Sequence, residues 1–535
     1  MNDLDFLHYP FASKRNVVVA QNGMVATSQP LAAQAGLTIL QQGGNAVDAA
    51  IATAAALTVT EPTSNGIGGD AFAIVWMNKE MFGINGSGPS PSSLSIDALQ
   101  ARGLHKIPAE GVIPITVPGV PATWAALSKR FGKLSLLDVL SPAIAYAENG
   151  YPLSPTLADY WQRAYKKYRD THTAPEFAAW FETFSVNGGA PNVGDVWHSP
   201  GHARTLRLIG ETNGDAFYTG ELADEINAFM QAHNGFLTKD DLANFEVEWV
   251  TPLQTNYRGY DVWEIPPNGQ GIVAQMALNI YENATPSNDA HDVHIQIEAM
   301  KLAYADALAT VTERRHMPVS TEQLLNKDYA KKRFTSITDE AAVPTPEAYA
   351  KGGTVYLATA DGDGNMVSFI QSNYMGFGSG VVVPNTGIAL QNRGYDFSMD
   401  EGHPNVLRPN KRTYHTIIPG FLTKNNEAIA PFGVMGAYMQ PQGHFQVLRH
   451  MIDDGLNPQA ALDAPRWQWI RDKTVHVEAH FPTHIARQLQ RMGHDVHVLA
   501  DSGSFGRGQI IWRNPQTGIL FGGTEPRTDG SIAAF

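Results

Sequence analysis

At Thr354 the texture of this chain changes. TVYLATA and MVSFIQS are two alternating apolar segments, and the DGDGN run between them supplies turn-forming residues. That arrangement predicts a β-hairpin with Thr354 at its first position. From there to the end, strand-like runs recur at 380–384, 417–422, 509–512 and 518–521, so the last third reads as sheet-rich. The first two thirds read as helix-rich.

In that earlier part, Ser28 and Pro30 open LAAQAGLTILQQ, a helix that stops at Gly43 and Gly44. An alanine-rich helix over 46–57 follows, with Val47 and Ile51 on one face, and both helices are expected to be buried. After Glu61 and Pro62 the run SNGIGGDAFAIVWM reads as a glycine loop entering a strand at 71–76. Further helices are predicted within 118–155, around the aromatic-rich 160–168, and over 293–310. The polar, charged stretch 313–351 reads as a surface linker. No repeat of fixed period is visible, and 535 residues leave the domain count open.

Composition removes several classes of chemistry. The chain has no cysteine, which excludes disulfides, thiolate metal sites and cysteine nucleophiles, and leaves Ser, Thr, Lys or a carboxylate. A net charge of −14 repels phosphate backbones, and the short basic runs at Arg314, Arg315 and Lys331 to Arg333 do not reverse it, so nucleic acid is not an expected partner. The first residues, MNDLDFLHYPFASKRNVVVAQ, carry early acids and one short apolar run, which predicts a cytoplasmic protein. The longest apolar stretch, 49–59, is too short to span a bilayer, where about 20 residues are needed.

Most motif-like features have plain explanations. GIGGD at 66–70 lacks both the Lys-Ser/Thr ending and the preceding strand of a phosphate loop. Asp361, Asp363 and Asn365 imitate the start of a calcium loop, but Met366 and Ser372 stand where its glycine and glutamate belong, so a turn is expected. His294 and Glu298 lie one helical turn apart without the second histidine of a zincin helix, which predicts a structural polar contact. The histidines show no metal-ligand spacing, and no Gly-x-Ser-x-Gly elbow occurs. What remains is Gly352, Gly353 and Thr354, a junction flexible enough for a hydroxyl to turn back on the preceding carbonyl. Taken alone the signal is weak, and a loop entering an edge strand is the better reading.

The surrounding segments extend that reading. MVATSQPLAAQAGLTILQQGGNAVDAAIATAAAL with EPTSNGIGGDAF, VPGVPATWAAL, FLTKDDLANF, YRGYDVWEIPPNGQGI, EAMKLAYADA, GGTVYLATADGDGNMVSFIQS and FGRGQIIW resemble the gamma-glutamyltranspeptidase family, in order and nearly end to end. The resemblance implies an α+β N-terminal-nucleophile hydrolase, a four-layer αββα sandwich built from both chains of a self-cleaved precursor. The large chain would be 1–353 and the small chain 354–535, together one intertwined catalytic domain. Gly353 would supply the carbonyl cut in maturation and Thr354 the nucleophile. A freed α-amine, with a pKa of about 7.7–8.0, can serve as base for its own hydroxyl. By the same resemblance, Ser372 hydrogen-bonds the nucleophile, and the backbone N–H groups of Gly436 and Ala437 hold the oxyanion. The mechanism uses no metal or organic cofactor. The partners implied are a small-molecule amide and the chain's own processed halves as a heterodimer, with a dimer of heterodimers open to it and no membrane or nucleic acid.

Substrate recognition departs from the family pattern. The arginine that clamps a glutamyl α-carboxylate falls at Asn85. An acid that pairs with the α-amine is replaced by Arg393, while the second acid persists as Asp396. The serine pair on the α-carboxylate falls at His415 and Thr416. An arginine fork beside the nucleophile suits a planar carboxylate, which resembles the cytoplasmic, oxamate amidohydrolase-like branch, and the alternative for Arg393 is an ordinary ion pair with Asp396. The expected activity is hydrolysis of a small carboxylate-bearing amide with release of ammonia. Its rivals are a γ-glutamyltransferase or glutathione hydrolase, and a non-catalytic binding protein of the same fold.

Overall fold

The computed structural model describes residues 15–344 and 353–535. Gly352 and the end of the 313–351 stretch lie outside the described residues.

Two seven-stranded sheets form the centre. In order across the first run Ser531–Ala534, Gly23–Thr27, Val355–Asp361, Met366–Ser372, Asp70–Met77, Glu80–Gly86 and Glu248–Val250. The second runs Val18–Ala20, Leu520–Thr524, Arg507–Arg513, Glu427–Met435, Gly420–Lys424, Tyr260–Glu264 and Leu253–Tyr257. Every pairing in both is antiparallel. Both sheets draw strands from either side of Gly353, so the two sides are woven together rather than stacked as separate domains.

The sheets face each other across an apolar layer that includes Met24, Phe72, Ile74, Tyr356, Ile370, Phe421 and Ile511. Their outer faces are covered by helices. On the first sheet lie Pro30–Gln41, Ala46–Thr60, Val120–Phe131 and Leu136–Asn149; on the second lie Gly271–Tyr281, Ala290–Thr310 and Gln440–Ile452. The result is the αββα sandwich that the resemblance implies.

The helix Ala46–Thr60 is buried along its whole length, which its alanine content allows, because a helix apolar on every side belongs in an interior. Asn45 and Asp48 form a capping box at its start. The Asp361 carboxylate adds a bond from the Ala46 N–H at 3.0 Å. The same carboxylate accepts the N–H groups of Asp363 and Asn365 at 3.0 Å each. The calcium-like triplet is therefore the expected turn, and it also caps a helix. The hairpin it closes pairs Val355 with Gln371 through Ala360 with Met366.

Two sequence readings need correction. The stretch from 313 carries a 3₁₀ turn at Arg314–His316 and helices at Thr321–Leu324 and Lys327–Phe334. Ser320 and Asn326 cap those helices, and Arg333 clamps Asp306 at 2.6 Å, so packing overrides the polar composition. The run 380–384 contributes an isolated bridge, Val382 with Ala389, instead of a strand, because Gly378 and Gly380 at φ +78° and +76° break the extended path. Among the described residues no helix is long and apolar enough to cross a membrane.

Candidate active site

The strand pair beginning at Val355 delivers Thr354 to the end of the first sheet, 1% exposed. Its Oγ1 lies 2.8 Å from the Gly353 carbonyl oxygen and 3.1 Å from Ser372 Oγ. Ser372, the last residue of the paired strand, donates its hydroxyl to the same carbonyl oxygen at 2.8 Å. The carbonyl is thus polarised by one hydroxyl while a second stands beside it, the arrangement needed for a side chain to attack its own preceding peptide bond.

Tyr374, which the sequence reading missed, holds this geometry. Its backbone N–H donates to Ser372 Oγ at 2.7 Å, and its carbonyl accepts the Gly353 N–H at 2.7 Å. It does so at φ +75°, a left-handed conformation costly for an aromatic residue and of the kind that clusters at functional sites. Its hydroxyl donates to Asp396 Oδ1 at 2.5 Å, and the Arg393 guanidinium stacks 3.9 Å from its ring centroid. One residue therefore joins the Gly353–Thr354 peptide to the arginine.

Arg393 is fully buried. Its Nη1 donates to Thr416 Oγ1 at 2.9 Å and to Asp396 Oδ2 at 3.4 Å, so the ion pair expected from sequence exists, at a distance beyond a good charge-assisted bond. Nε and Nη2 have no hydrogen-bond partner. These two nitrogens form one edge of the guanidinium, the edge that meets a carboxylate side-on through two parallel N–H groups. A buried donor left without a partner is costly, so this edge is the part of Arg393 that an added acceptor would stabilise.

A second buried pair lies behind it. His415 Nε2 and Asp70 Oδ2 are 2.8 Å apart, and His415 Nδ1 accepts the Ile417 N–H at 3.3 Å, which leaves the ring hydrogen on Nε2 facing Asp70. Burial, then Arg393, keeps the His415 imidazole well below its usual pKa. Burial pushes Asp70 up to about 7 against Arg393, Gln391 and the Gly88 N–H, and pushes Asp396 up to about 6 against Arg393 and Tyr374. Asp70 opens a strand in a glycine-rich run, and nothing in its spacing points to a histidine 345 residues away.

Gly436 and Ala437 follow the strand Glu427–Met435 at φ +139° and +51°. Consecutive positive φ values turn the backbone sharply out of the sheet, and Ala437 pays for it with strain. Gln270 fixes this turn, donating to the Ala437 carbonyl at 2.8 Å and to the Thr416 carbonyl at 2.7 Å. Gly436 and Gly353 line one cavity of about 380 Å³. Asn85 is not exposed to that space: its amide nitrogen donates to Asn268 at 2.9 Å and its oxygen accepts from Ser87, so both ends are engaged in holding the neighbouring loop.

The glycines of 66–69 also have a purpose. A side chain at Gly69 would meet the Ser372 carbonyl at 2.4 Å, and one at Gly66 would meet the Asn373 amide at 2.7 Å, so the loop lies directly against the residues after the hairpin. His294 and Glu298 meet His494 in a buried cluster whose ligand atoms all lie within 4.8 Å of one another, so a distant segment supplies the second histidine that the helix lacks; His294 contacts His494 at 2.8 Å and the Thr338 carbonyl at 2.7 Å, and Glu298 takes Lys301 at 2.7 Å.

A family model described as gamma-glutamyltranspeptidase matches residues 32–535. The chain is 38% identical over 486 residues to the glutathione hydrolase-like YwrD proenzyme of Bacillus subtilis, covering 89% of this chain and 91% of that protein. It is 34% identical over 489 residues to the oxamate amidohydrolase proenzyme of Klebsiella pneumoniae, with the same two coverages, 89% and 91%. The crystal structure of a cephalosporin acylase from Bacillus halodurans superposes with a TM-score of 0.97 at 61% identity, covering 100% of this chain and 99% of that one.

Proposed function

This chain belongs to the gamma-glutamyltranspeptidase family and is an amidohydrolase-type enzyme, and from that premise we propose that it cuts itself before Thr354 and then hydrolyses a short amide whose acyl half bears a carboxylate, as oxamate does. The observation that carries this reading is the unpartnered Nε–Nη2 edge of buried Arg393, joined to the nucleophile through Tyr374.

In maturation Thr354 Oγ attacks the Gly353 carbonyl carbon while Ser372 stabilises the oxygen. The Gly353–Thr354 amide becomes an ester on Oγ, and Thr354 nitrogen becomes an amine. Water then hydrolyses the ester, leaving a Gly353 carboxylate, a free hydroxyl and a free α-amine. In turnover the α-amine takes the Oγ proton as Oγ attacks the substrate carbonyl. The N–H groups of Gly436 and Ala437 face the developing oxyanion, and the leaving amine departs with the proton. Water then releases the acid from the acyl ester. Arg393 holds the substrate carboxylate throughout, with Thr416, Asp396 and His415 around it.

A second reading, glutathione hydrolase or γ-glutamyltransferase, draws support from relatives named for glutathione. Asn85 and Arg393 count against it, since the first offers no cation and the second reverses the charge expected near a glutamyl α-amine.

The deciding experiment is intact mass of wild type beside Thr354→Ala, followed by ammonia release from oxamate, other short acid amides and glutathione. Two fragments breaking before Thr354 in wild type alone, with ammonia from oxamate, are the expected result. A single uncut chain in both removes the mechanism, and turnover of glutathione without oxamate moves the assignment to the second reading.

A further inference from the structure

Beside the cavity shared by Gly353 and Gly436 lies another of about 350 Å³ that also borders Gly353. The two have Ser64, Tyr160, Gly353, Gly503 and Arg507 in common. Arg393 lines neither of them, whereas Arg507 lines both.

Arg507 opens the strand Arg507–Arg513 and is 7% exposed. Its Nη1 donates to Glu61 Oε1 at 3.2 Å, and its guanidinium stands 4.5 Å from the Tyr160 ring centroid. Glu61 is itself engaged by Ser28. Arg507 Nε is buried with no hydrogen-bond partner. The nearby acids are already matched: Glu110 by Lys167 at 2.6 Å, and Asp501 by Arg163 at 3.2 Å. Arg507 lines both cavities, held by the ion pair to Glu61 and by Tyr160, and an arginine fixed in this way beside open space is built to receive an anion.

We propose that Arg507 is a second carboxylate receptor, serving the amine half of the substrate, so that the amine released at Thr354 carries a carboxylate of its own, as an amino acid does. The inference rests on the reading of Thr354 and Arg393 given above. It enlarges the substrate class from simple acid amides to acyl-amino acids with a carboxylate at each end, one for Arg393 and one for Arg507. The reaction is the same hydrolysis: the amide C–N bond breaks, water supplies OH to the acyl carbon and H to the nitrogen, and a dicarboxylic acid and an amino acid leave.

The test compares kcat/KM for N-(carboxymethyl)oxamate and N-ethyloxamate, close in size and differing in the terminal carboxylate, in wild type, Arg507→Gln and Arg507→Lys. Wild type is expected to prefer the carboxymethyl compound by about tenfold or more, the contribution of one hydrogen bond to a charged group. That ratio falls close to one in Arg507→Gln and is partly retained in Arg507→Lys. A purely structural arginine would lower both rates together and leave the ratio intact, which would overturn the assignment, as would a wild type that shows no preference. Ammonia release from oxamate in the same preparations reports separately on Thr354 and Arg393, so a wild type active on oxamate but indifferent to the second carboxylate sinks the Arg507 inference alone.

Discussion

Replacing Arg393 by lysine keeps the positive charge and removes the fork. In the native site Nη1 is committed to Thr416 and Asp396, and the Nε–Nη2 edge, which has no protein partner, is the one proposed to meet substrate. A lysine ammonium is a point donor that cannot present two parallel N–H groups, so at least one of the two substrate bonds is lost. A hydrogen bond to a charged partner contributes about 1.5–3 kcal/mol, which corresponds to about 10- to 150-fold in kcat/KM. The assay is ammonia release from oxamate set against acetamide, which has no carboxylate, with thermal unfolding as a check on the fold. The loss is expected on oxamate and not on acetamide, while intact mass shows complete cleavage, because maturation involves no substrate carboxylate. Equal losses on both amides, or none on oxamate, would refute the assignment of that edge to the acyl half.

Ser372→Ala removes the hydroxyl that polarises the Gly353 carbonyl, and self-cleavage is expected to slow by about 10²- to 10³-fold, the cost of one oxyanion donor; Ser372→Thr restores it, as followed by a time course of intact mass. Protonation of Asp70 at about 7 and of Asp396 at about 6 each removes a negative charge that competes with substrate for Arg393, so KM for an anionic amide is expected to fall as pH drops through that range. The same change lowers kcat, because the α-amine must be unprotonated and its reference pKa is about 7.7–8.0; a KM independent of pH there would contradict the charge balance, and Asp70→Asn should flatten the upper part. Ala437→Gly relieves a left-handed alanine at the cost of backbone entropy, so stability should change by less than about 1 kcal/mol with activity retained, because the oxyanion donor proposed here is main-chain; a large loss of kcat would show that the methyl group matters.

Much of the frame was legible because it is local. The hairpin after Thr354 follows from alternation around a turn, and the helix Pro30–Gln41 begins at its proline. Thr354, Ser372, Gly436 and Arg393 came from ordered resemblance, and the structure brings them to one end of the sandwich. What stayed hidden depends on contacts between distant segments. Tyr374 looks like an ordinary strand-end aromatic until its φ of +75° and its links to Gly353, Ser372 and Asp396 are seen. Asp70 acquires meaning from His415, and Arg507 from the cavities it lines. Asn85 went the other way: its position suggested substrate, but Asn268 and Ser87 occupy it.

The strand that starts after Thr354 sits between Gly23–Thr27 on one side and Met366–Ser372 on the other, so the threonine reaches its target only when the sheet has closed from both directions. The proposed cut there would work as a receipt for successful assembly: molecules that never close the sheet would stay whole, and the proportion of nicked chain would measure how many folded. It also changes the arithmetic of recovery. An intact chain refolds at a rate independent of concentration, whereas two separated pieces whose strands alternate must first meet, so renaturation of a chain cut as proposed is expected to be second order and to fall away on dilution.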